Sequence, residues 1–305
     1  MMKKRNGLMN RLIRDKWLYI FLIPFLLWYV LFAYVPMYGL QIAFKDYNLF
    51  KGITESPWVG MEHFKTFFES PYFFRLLKNT IIISLMNLVF AFPLSVIFAL
   101  MLNEVKNKWF KKTVQTVTYL PYFISIVVVT GIVTSFLAPS NGIVNIIIAK
   151  LGGEKQYFLM QKESFRWIYL LMNIWKDTGY NSIVYIAALA AVDSELYEAA
   201  SIDGAGKLRQ ILHVSLPGIL PTVIIMFILK LGTIMEVGYE AIILLYQPAT
   251  YETADVISTF VYRTGLLEGK YDYATAVGLF NAVIALVLVL TVNHFSNRLA
   301  ETGLW

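Results

Sequence analysis

The sequence predicts an all-α integral membrane protein of six transmembrane helices, and three observations carry that expectation. Of its 305 residues, 58% are hydrophobic and only 15% charged, with a mean hydropathy of +0.60, a composition unsuited to a surface facing water. Six apolar stretches reach the roughly 20 residues needed to cross a hydrocarbon core of about 30 Å. Runs such as IIISLMNLVFAFPLSVIFALML are apolar on every face, whereas barrel strands alternate with period two. In lipid only a helix satisfies such a backbone within one segment.

A basic tail, residues 1–16, comes first and holds Lys3, Lys4, Arg5, Arg11, Arg14 and Lys16. Basic residues resist translocation, which puts the N-terminus in the cytoplasm; anionic lipid is the other partner such a cluster suits, and no nucleic acid is expected. Residues 17–305 form the transmembrane domain. Its first span, Trp17 to Phe44, is longer than a signal-peptide core and lacks an A-x-A site, so it is expected to stay uncleaved.

The second span is Asn79 to Asn103, and the loop after it carries Lys106, Lys108, Lys111 and Lys112, again cytoplasmic. The third is Val114 to Leu137, the fourth Trp167 to Val192, the fifth Pro217 to Leu245 and the sixth Ala274 to Phe295, which returns the C-terminus to the cytoplasm. Pro24, Pro36 and Pro93 fall in or near spans and predict kinks that neighbouring helices compensate. The outer segments Lys45 to Lys78, Ala138 to Arg166 and Tyr246 to Tyr273 are long and aromatic. Trp58, Tyr72, Tyr157, Tyr251 and Tyr271 suit interfacial anchoring or reception of a partner.

Cysteine is absent, which removes disulfides, thiol nucleophiles and cysteine metal sites. His63, His213 and His294 are scattered without ligand spacing. No metal or cofactor in this chain, and no catalysis by it, is expected.

The segment DSELYEAASIDGAGKLRQILHVSLPGILP reads as helix, break, helix between the fourth and fifth spans. Helix formers fill Glu195 to Ile202, Gly204 and Gly206 interrupt, and Lys207 to Val214 resumes. Leu208, Ile211, Leu212 and Ser215 share one face. Such a hairpin, residues 193–217, is either an ordinary loop helix or a knob shaped for a groove on a cytoplasmic protein. Gly204-Ala205-Gly206-Lys207 looks like the end of a phosphate loop, but Ser201 and Leu208 stand where that motif needs Gly and Ser or Thr.

Charges within spans are costly and usually face a bundle interior or wet pathway. On the fourth span Asn173, Lys176 or Asp177, and Tyr180 share a face; on the fifth Thr233, Glu236 and Glu240 do, with Lys230 at its margin. Tyr180, Trp175 and Tyr239 offer rings for stacking, and the lysines offer charge to acidic groups. The opposing reading is that Lys176 and Lys230 pair with Asp177, Glu236 or Glu240 to hold helices together. Asn87 and Asn281 are expected as interhelical hydrogen-bond partners.

Glu198-Ala199-Ala200, two residues, Asp203-Gly204-Ala205, then Leu216-Pro217 resembles the EAA loop of binding-protein-dependent permeases, the coupling element of type I ABC importers. Ile211 and Val214 replace that pattern's usual Phe and Ile, both apolar exchanges. The opening DKWLYIFLIPFLLWYVLFAYVPMYGLQIAFKDYN, YETADVISTFVYRTGL, YDYATAVGLFNAVIALVLVL and the final ETGLW are similar to the maltose-type carbohydrate branch, notably its LplB-like and YteP-like permeases for rhamnogalacturonan and other complex polysaccharide fragments. The resemblance implies a multi-pass permease subunit of the bacterial plasma membrane that imports oligosaccharides. It implies a second, homologous permease, two cytoplasmic ATPase subunits holding ATP and magnesium, and an extracellular solute-binding lipoprotein. It also implies a sugar pocket at the depth of the charged positions, with Glu198 anchoring the hairpin and Gly204 permitting its break. A secondary transporter with an ion relay is the rival class, and it would not need the hairpin.

Overall fold

The computed structural model describes residues 14–300, with side chains for 14–296. Lys3, Lys4, Arg5 and Arg11 of the tail and the segment 301–305 lie outside the described residues. Among the described residues every regular element is helical, apart from an isolated bridge between Lys45 and Trp58. In order the helices are α1 (Lys16–Phe44), α2 (Glu62–Glu69), α3 (Phe73–Asn103), α4 (Lys108–Phe123), α5 (Ile126–Phe136), α6 (Ile143–Lys150), α7 (Lys162–Ala190), α8 (Ser194–Ile202), α9 (Lys207–Gly232), α10 (Tyr239–Leu245), α11 (Ile257–Tyr262) and α12 (Tyr271–Ala300).

Four of these, α1, α3, α9 and α12, are long and apolar enough to cross a membrane. Two expectations need correction. The third span, Val114 to Leu137, is not one straight helix, because α4 and α5 are bent by 102°. Pro121 lies in a tight 3-10 turn, Ile124 is extended, and Ser125 caps α5 by accepting from the Val128 amide at 3.4 Å. The fifth span, Pro217 to Leu245, breaks after Gly232, unwinds over 233–238 and resumes as α10. The fourth, Trp167 to Val192, falls almost wholly within the unbroken α7, whose 29 residues reach about 43 Å, with Lys176 and Asp177 as the charges inside it. α7 is also the central helix, burying Phe165, Tyr169, Met172, Tyr185 and Leu189.

Pro36, Pro93 and Pro217 each follow by two residues a five-residue π turn, at Val30–Tyr34, Asn87–Ala91 and Ile211–Ser215. Proline has no amide to donate and crowds the carbonyl four residues back, and widening the preceding turn by one residue relieves both. Pro24 sits within uninterrupted α-helix.

Packing gathers into layers around α7. One cluster joins its first half to α5 and α10 through Phe165, Tyr169, Val129, Ile242 and Leu245. Another, at the end that carries α8, joins its second half to α3 and α9 through Tyr185, Leu189, Val96, Ala99 and Ile219. A third sets α2, α11 and α12 together through Phe67, Phe260 and Val277. The apolar window of α1 is 0% buried, and its junction with the body is the turn Tyr38–Phe44, which buries Ala43 against α12.

Candidate functional site

The hairpin between α7 and α9 is more rigid than its sequence announces. Asp193 caps α8 by accepting from the Glu195 amide at 2.9 Å. At its other end the Gly204 amide donates to Ser201 O at 3.1 Å and the Ala205 amide to Ala200 O at 2.8 Å, the paired bonds of a Schellman motif. That motif needs a left-handed residue, and Gly204 supplies it at φ +74°. Gly206, at φ −68°, is the ordinary N-cap of α9. The two arms are tied by buried Gln210, whose Nε2 donates to Ser201 Oγ at 2.9 Å and Ala205 O at 3.1 Å. Tyr197 Oη lies 2.9 Å from Ser215 Oγ.

Glu198, Ala199 and Asp203 stand exposed on this hairpin, Ala200 and Ala205 are half-buried, and Leu216 packs inward beside Ile211. The expected shared apolar face divides, since Ile211 and Ser215 turn to the body while Leu208 and Leu212 stay 70% and 49% exposed. Pro217 continues α9 instead of starting a new helix. The two legs close tightly at their base, where a Cβ on Gly218 would meet Val192 Cγ2 at 2.8 Å.

Those two legs, α7 and α9, are also walls of a cavity of about 630 Å³. Asn173, Lys176, Asp177, Lys230, Thr233 and Glu236 line it, as do Glu240 and Asn87. The break at 233–238 forms one side, and its carbonyls are taken up by side chains from three other helices. Ser84 Oγ donates to Ile234 O, Asn281 Nδ2 to Met235 O at 3.1 Å and Ser258 Oγ to Val237 O at 3.0 Å. Unwound backbone at membrane depth survives through such partners. Asn87 and Asn281 are therefore interhelical partners as expected, Asn87 accepting from Asn173 Nδ2 at 3.2 Å.

Tyr180 and Tyr239 are not among the lining residues. The Tyr180 ring stacks on Tyr122 with centroids 3.7 Å apart, and Tyr239 stands against Tyr262 at 5.8 Å. The two lysines differ. Lys176 Nζ lies 3.4 Å from Asp177 Oδ1, 3.4 Å from Tyr122 O and 4.7 Å from the Tyr122 ring centre, so it clamps the α4–α5 elbow. Lys230 has no carboxylate within ion-pair distance among the described residues.

At the end remote from the hairpin lies a buried ionic knot that sequence reasoning missed. Asp255 is 0% exposed. It accepts from Arg75 Nη2 at 3.1 Å, from Arg263 at 3.2 and 2.9 Å and from Thr259 Oγ1 at 2.8 Å. Burial pulls the Arg263 guanidinium down, but the Asp255 hydrogen bond and charge more than reverse this and hold it above arginine's ordinary value. Asn79 donates to Asp255 O at 2.8 Å and accepts from Arg166 Nη2 at 2.8 Å, which binds α3 and α7 to the same segment. The signal was an acid and an arginine eight residues apart in an otherwise apolar and hydroxylic stretch.

Over residues 91–301 the chain matches the family described as binding-protein-dependent transport system inner membrane component. It is 44% identical over 303 residues to the polygalacturonan/rhamnogalacturonan transport system permease protein YteP of Bacillus subtilis (strain 168), covering 99% of this chain and 94% of that one. Protein LplB of the same organism is 43% identical over 297 residues, 97% of this chain and 93% of that one. A chain of a bacterial ABC transporter importing the acidic polysaccharide alginate superposes with TM-score 0.90 at 50% identity, over 96% of this chain and 99% of that one. A second structure, of such a transporter with its alginate pentasaccharide-bound periplasmic protein, gives TM-score 0.90 at 49% identity, over 97% and 99%.

Proposed function

The chain belongs to the inner membrane components of binding-protein-dependent transport systems, a multi-pass translocation subunit and not an enzyme, and from that premise we propose that it imports acidic oligosaccharides of the pectin type. The observation that carries the reading is that the hairpin's two legs, α7 and α9, are walls of the 630 Å³ cavity, so force applied to the hairpin acts directly on the sugar pathway. The acidic class is supported by relatives named for polygalacturonan and alginate and by an unpaired Lys230 in the cavity. Asp177, Glu236 and Glu240 line the same space and would accept hydrogen bonds from sugar hydroxyls.

In this mechanism the hairpin end is cytoplasmic, α7 serves as a sixth span, and both termini face the cytoplasm. The exposed face of α8 and Ile202, with Glu198, docks on one of two ATPase subunits. Those subunits hold ATP and magnesium and supply the hydrolysis. A second permease completes the pathway, and an external binding lipoprotein delivers the saccharide. As the ATPases close, the rigid hairpin moves as one piece, and α7 and α9 swing the cavity from inward to outward access.

The test is uptake of tetragalacturonate and of neutral maltotetraose into liposomes holding the whole complex and loaded binding protein, with ion gradients collapsed. ATP-driven uptake of the acidic sugar, lost in Glu198→Ala and Gly204→Asp together with stimulated ATPase activity, supports the proposal. Uptake that stops with the ion gradient, or both mutants behaving as wild type, refutes the coupling role. Preference for maltotetraose refutes the acidic substrate.

A further inference from the structure

The hairpin touches a third helix besides its own two legs. Lys207, the first residue of α9, places Nζ 2.8 Å from Glu104 Oε2. Glu104 directly follows Asn103, the last residue of α3. The contact is ionic and not a well-aligned hydrogen bond, since Glu104 Oε2 is buried without a hydrogen-bond partner. Around it a cleft between hairpin and loop is lined by Asn103, Val105, Tyr197, Ser201 and Gln210, so the loop after α3 lies along the hairpin's inner side.

Helix α3 is placed to use that contact. Its 31 residues span about 46 Å. Midway, Ser84, Asn87, Leu88, Ala91, Phe92 and Ser95 line the cavity. At the remote end Arg75 and Asn79 hold the Asp255 segment, and the Thr80 hydroxyl accepts from the Ile257 amide at 3.0 Å. The π turn Asn87–Ala91, just before Pro93, divides the held end from the hairpin end at the level of the cavity. A helix fixed at one end, pushed at the other and locally widened between them bends at the widened turn.

We infer that Glu104 and Lys207 are positioning residues that make α3 a second transmission arm. Hairpin motion reaches the cavity through α3, bending at the π turn, as well as through α7 and α9. The inference rests on the coupling role proposed above.

The experiment measures sugar transported per ATP hydrolysed in liposomes holding the whole complex, with tetragalacturonate-loaded binding protein. It compares Glu104→Lys, Lys207→Glu, the double reversal, and Lys207→Arg, which keeps the charge. Each single reversal should lower the ratio about two- to fivefold, the range set by a partly exposed ion pair. The double reversal and Lys207→Arg should restore it, with co-purification of subunits unchanged throughout. A general loss of folding would lower complex yield and would not be rescued by reversing both charges. Single reversals that leave the ratio at the wild-type value, or a double reversal that fails to recover it, overturn the inference. If Gly204→Asp leaves stimulated ATPase and uptake intact, the coupling reading itself fails, and the inference with it. If Gly204→Asp uncouples but the charge reversals do not, only the second arm is lost.

Discussion

Replacing Asp255 by alanine should be the most damaging single change at the end remote from the hairpin. The carboxylate is 0% exposed and accepts from two arginines and from Thr259. Removing one partner of a buried ion pair costs about 3–5 kcal/mol, because the remaining charge stays uncompensated. Here two guanidinium side chains remain, 31% and 23% exposed, so water screens part of their repulsion and the lower end, about 3 kcal/mol, is expected. The scale for domains of about 150–250 residues, roughly 2–4 °C per kcal/mol, sets the fall at no more than about 6–12 °C. Asp255→Asn keeps an acceptor for Thr259 and should fall by about half as much. The assay is thermal unfolding of the complex in lipid nanodiscs. An alanine variant within 2 °C of wild type, on the order of the smallest shift a 1 kcal/mol change would give, would refute the knot as a structural fastening. A triple replacement by leucine at Asp255 and methionine at Arg75 and Arg263 should recover most of the loss, since apolar residues of similar volume replace buried ion pairs at little cost.

Four further outcomes follow from the geometry. Gly204→Ala forces an L residue to φ +74° and should cost about 1–2 kcal/mol, while Gly206→Ala, at φ −68° in open space, should leave the unfolding midpoint unchanged. In α7 a Cβ on Gly179 would run into the Thr118 carbonyl of α4, so Gly179→Ala should destabilise by about 1–3 kcal/mol in the same assay. Lys176→Met should lower stability at the elbow without changing preference for acidic over neutral sugar, whereas Lys230→Gln should reduce tetragalacturonate uptake selectively; equal effects would contradict the division of roles. Finally, the hydrogen bond between Lys162 and Glu252, 2.7 Å long, holds Glu252 below its ordinary 4.5 and Lys162 above its ordinary 10.5. The contribution of Glu252 is present above 4.5 and lost as pH falls through its depressed value. That of Lys162 is present below 10.5 and lost as pH rises through its raised value. Between those limits the pair should be indifferent to pH, and in Lys162→Gln a carbon-13 titration of Glu252 should move back towards the ordinary carboxylate range.

Hydropathy made the spans legible because lipid demands long apolar helices: α1, α3 and α12 lie close to where the composition puts them, and α9 holds the first part of the fifth. It did not reveal breaks whose carbonyls are satisfied from afar. LKLGTIMEVGYEAIILLY falls within one predicted span despite Lys230, Glu236 and Glu240, and only the fold brings Ser84, Asn281 and Ser258 to its unwound backbone. The elbow at 124–125 did leave local marks, Pro121 and Ser125 before a β-branched run, but a span-length window averages them away. At the candidate site, helical spacing placed Asn173, Lys176 or Asp177, and Tyr180 on one face, and Thr233, Glu236 and Glu240 on another with Lys230 at its margin. All but Tyr180 line the cavity, but Thr233 and Glu236 reach it from the unwound 233–238 and not from a helix. Spacing could not foresee that Tyr122, from a different helix, would draw Tyr180 out of the cavity lining. The knot as a whole was illegible because Arg75 and Asp255 are 180 residues apart, and only the Asp255–Arg263 pair, eight residues apart, left a local mark.

The widened turn in α3 also changes how its sequence must be phased. Before it the buried residues are Leu76, Asn79, Thr80, Ile83 and Ser84, and the row through Leu76, Thr80 and Ile83 would continue in undisturbed α-helix through Phe90, Leu94 and Met101. All three of those are exposed, and the inward residues are Ser95, Val96, Ala99, Leu100 and Leu102. One added residue has turned the second half of the helix by about 100°. Deleting a single residue within 87–91 would therefore act as a rotation and not as a shortening: the half fastened to Asp255 would keep its face, while Glu104 would be carried around the axis away from Lys207.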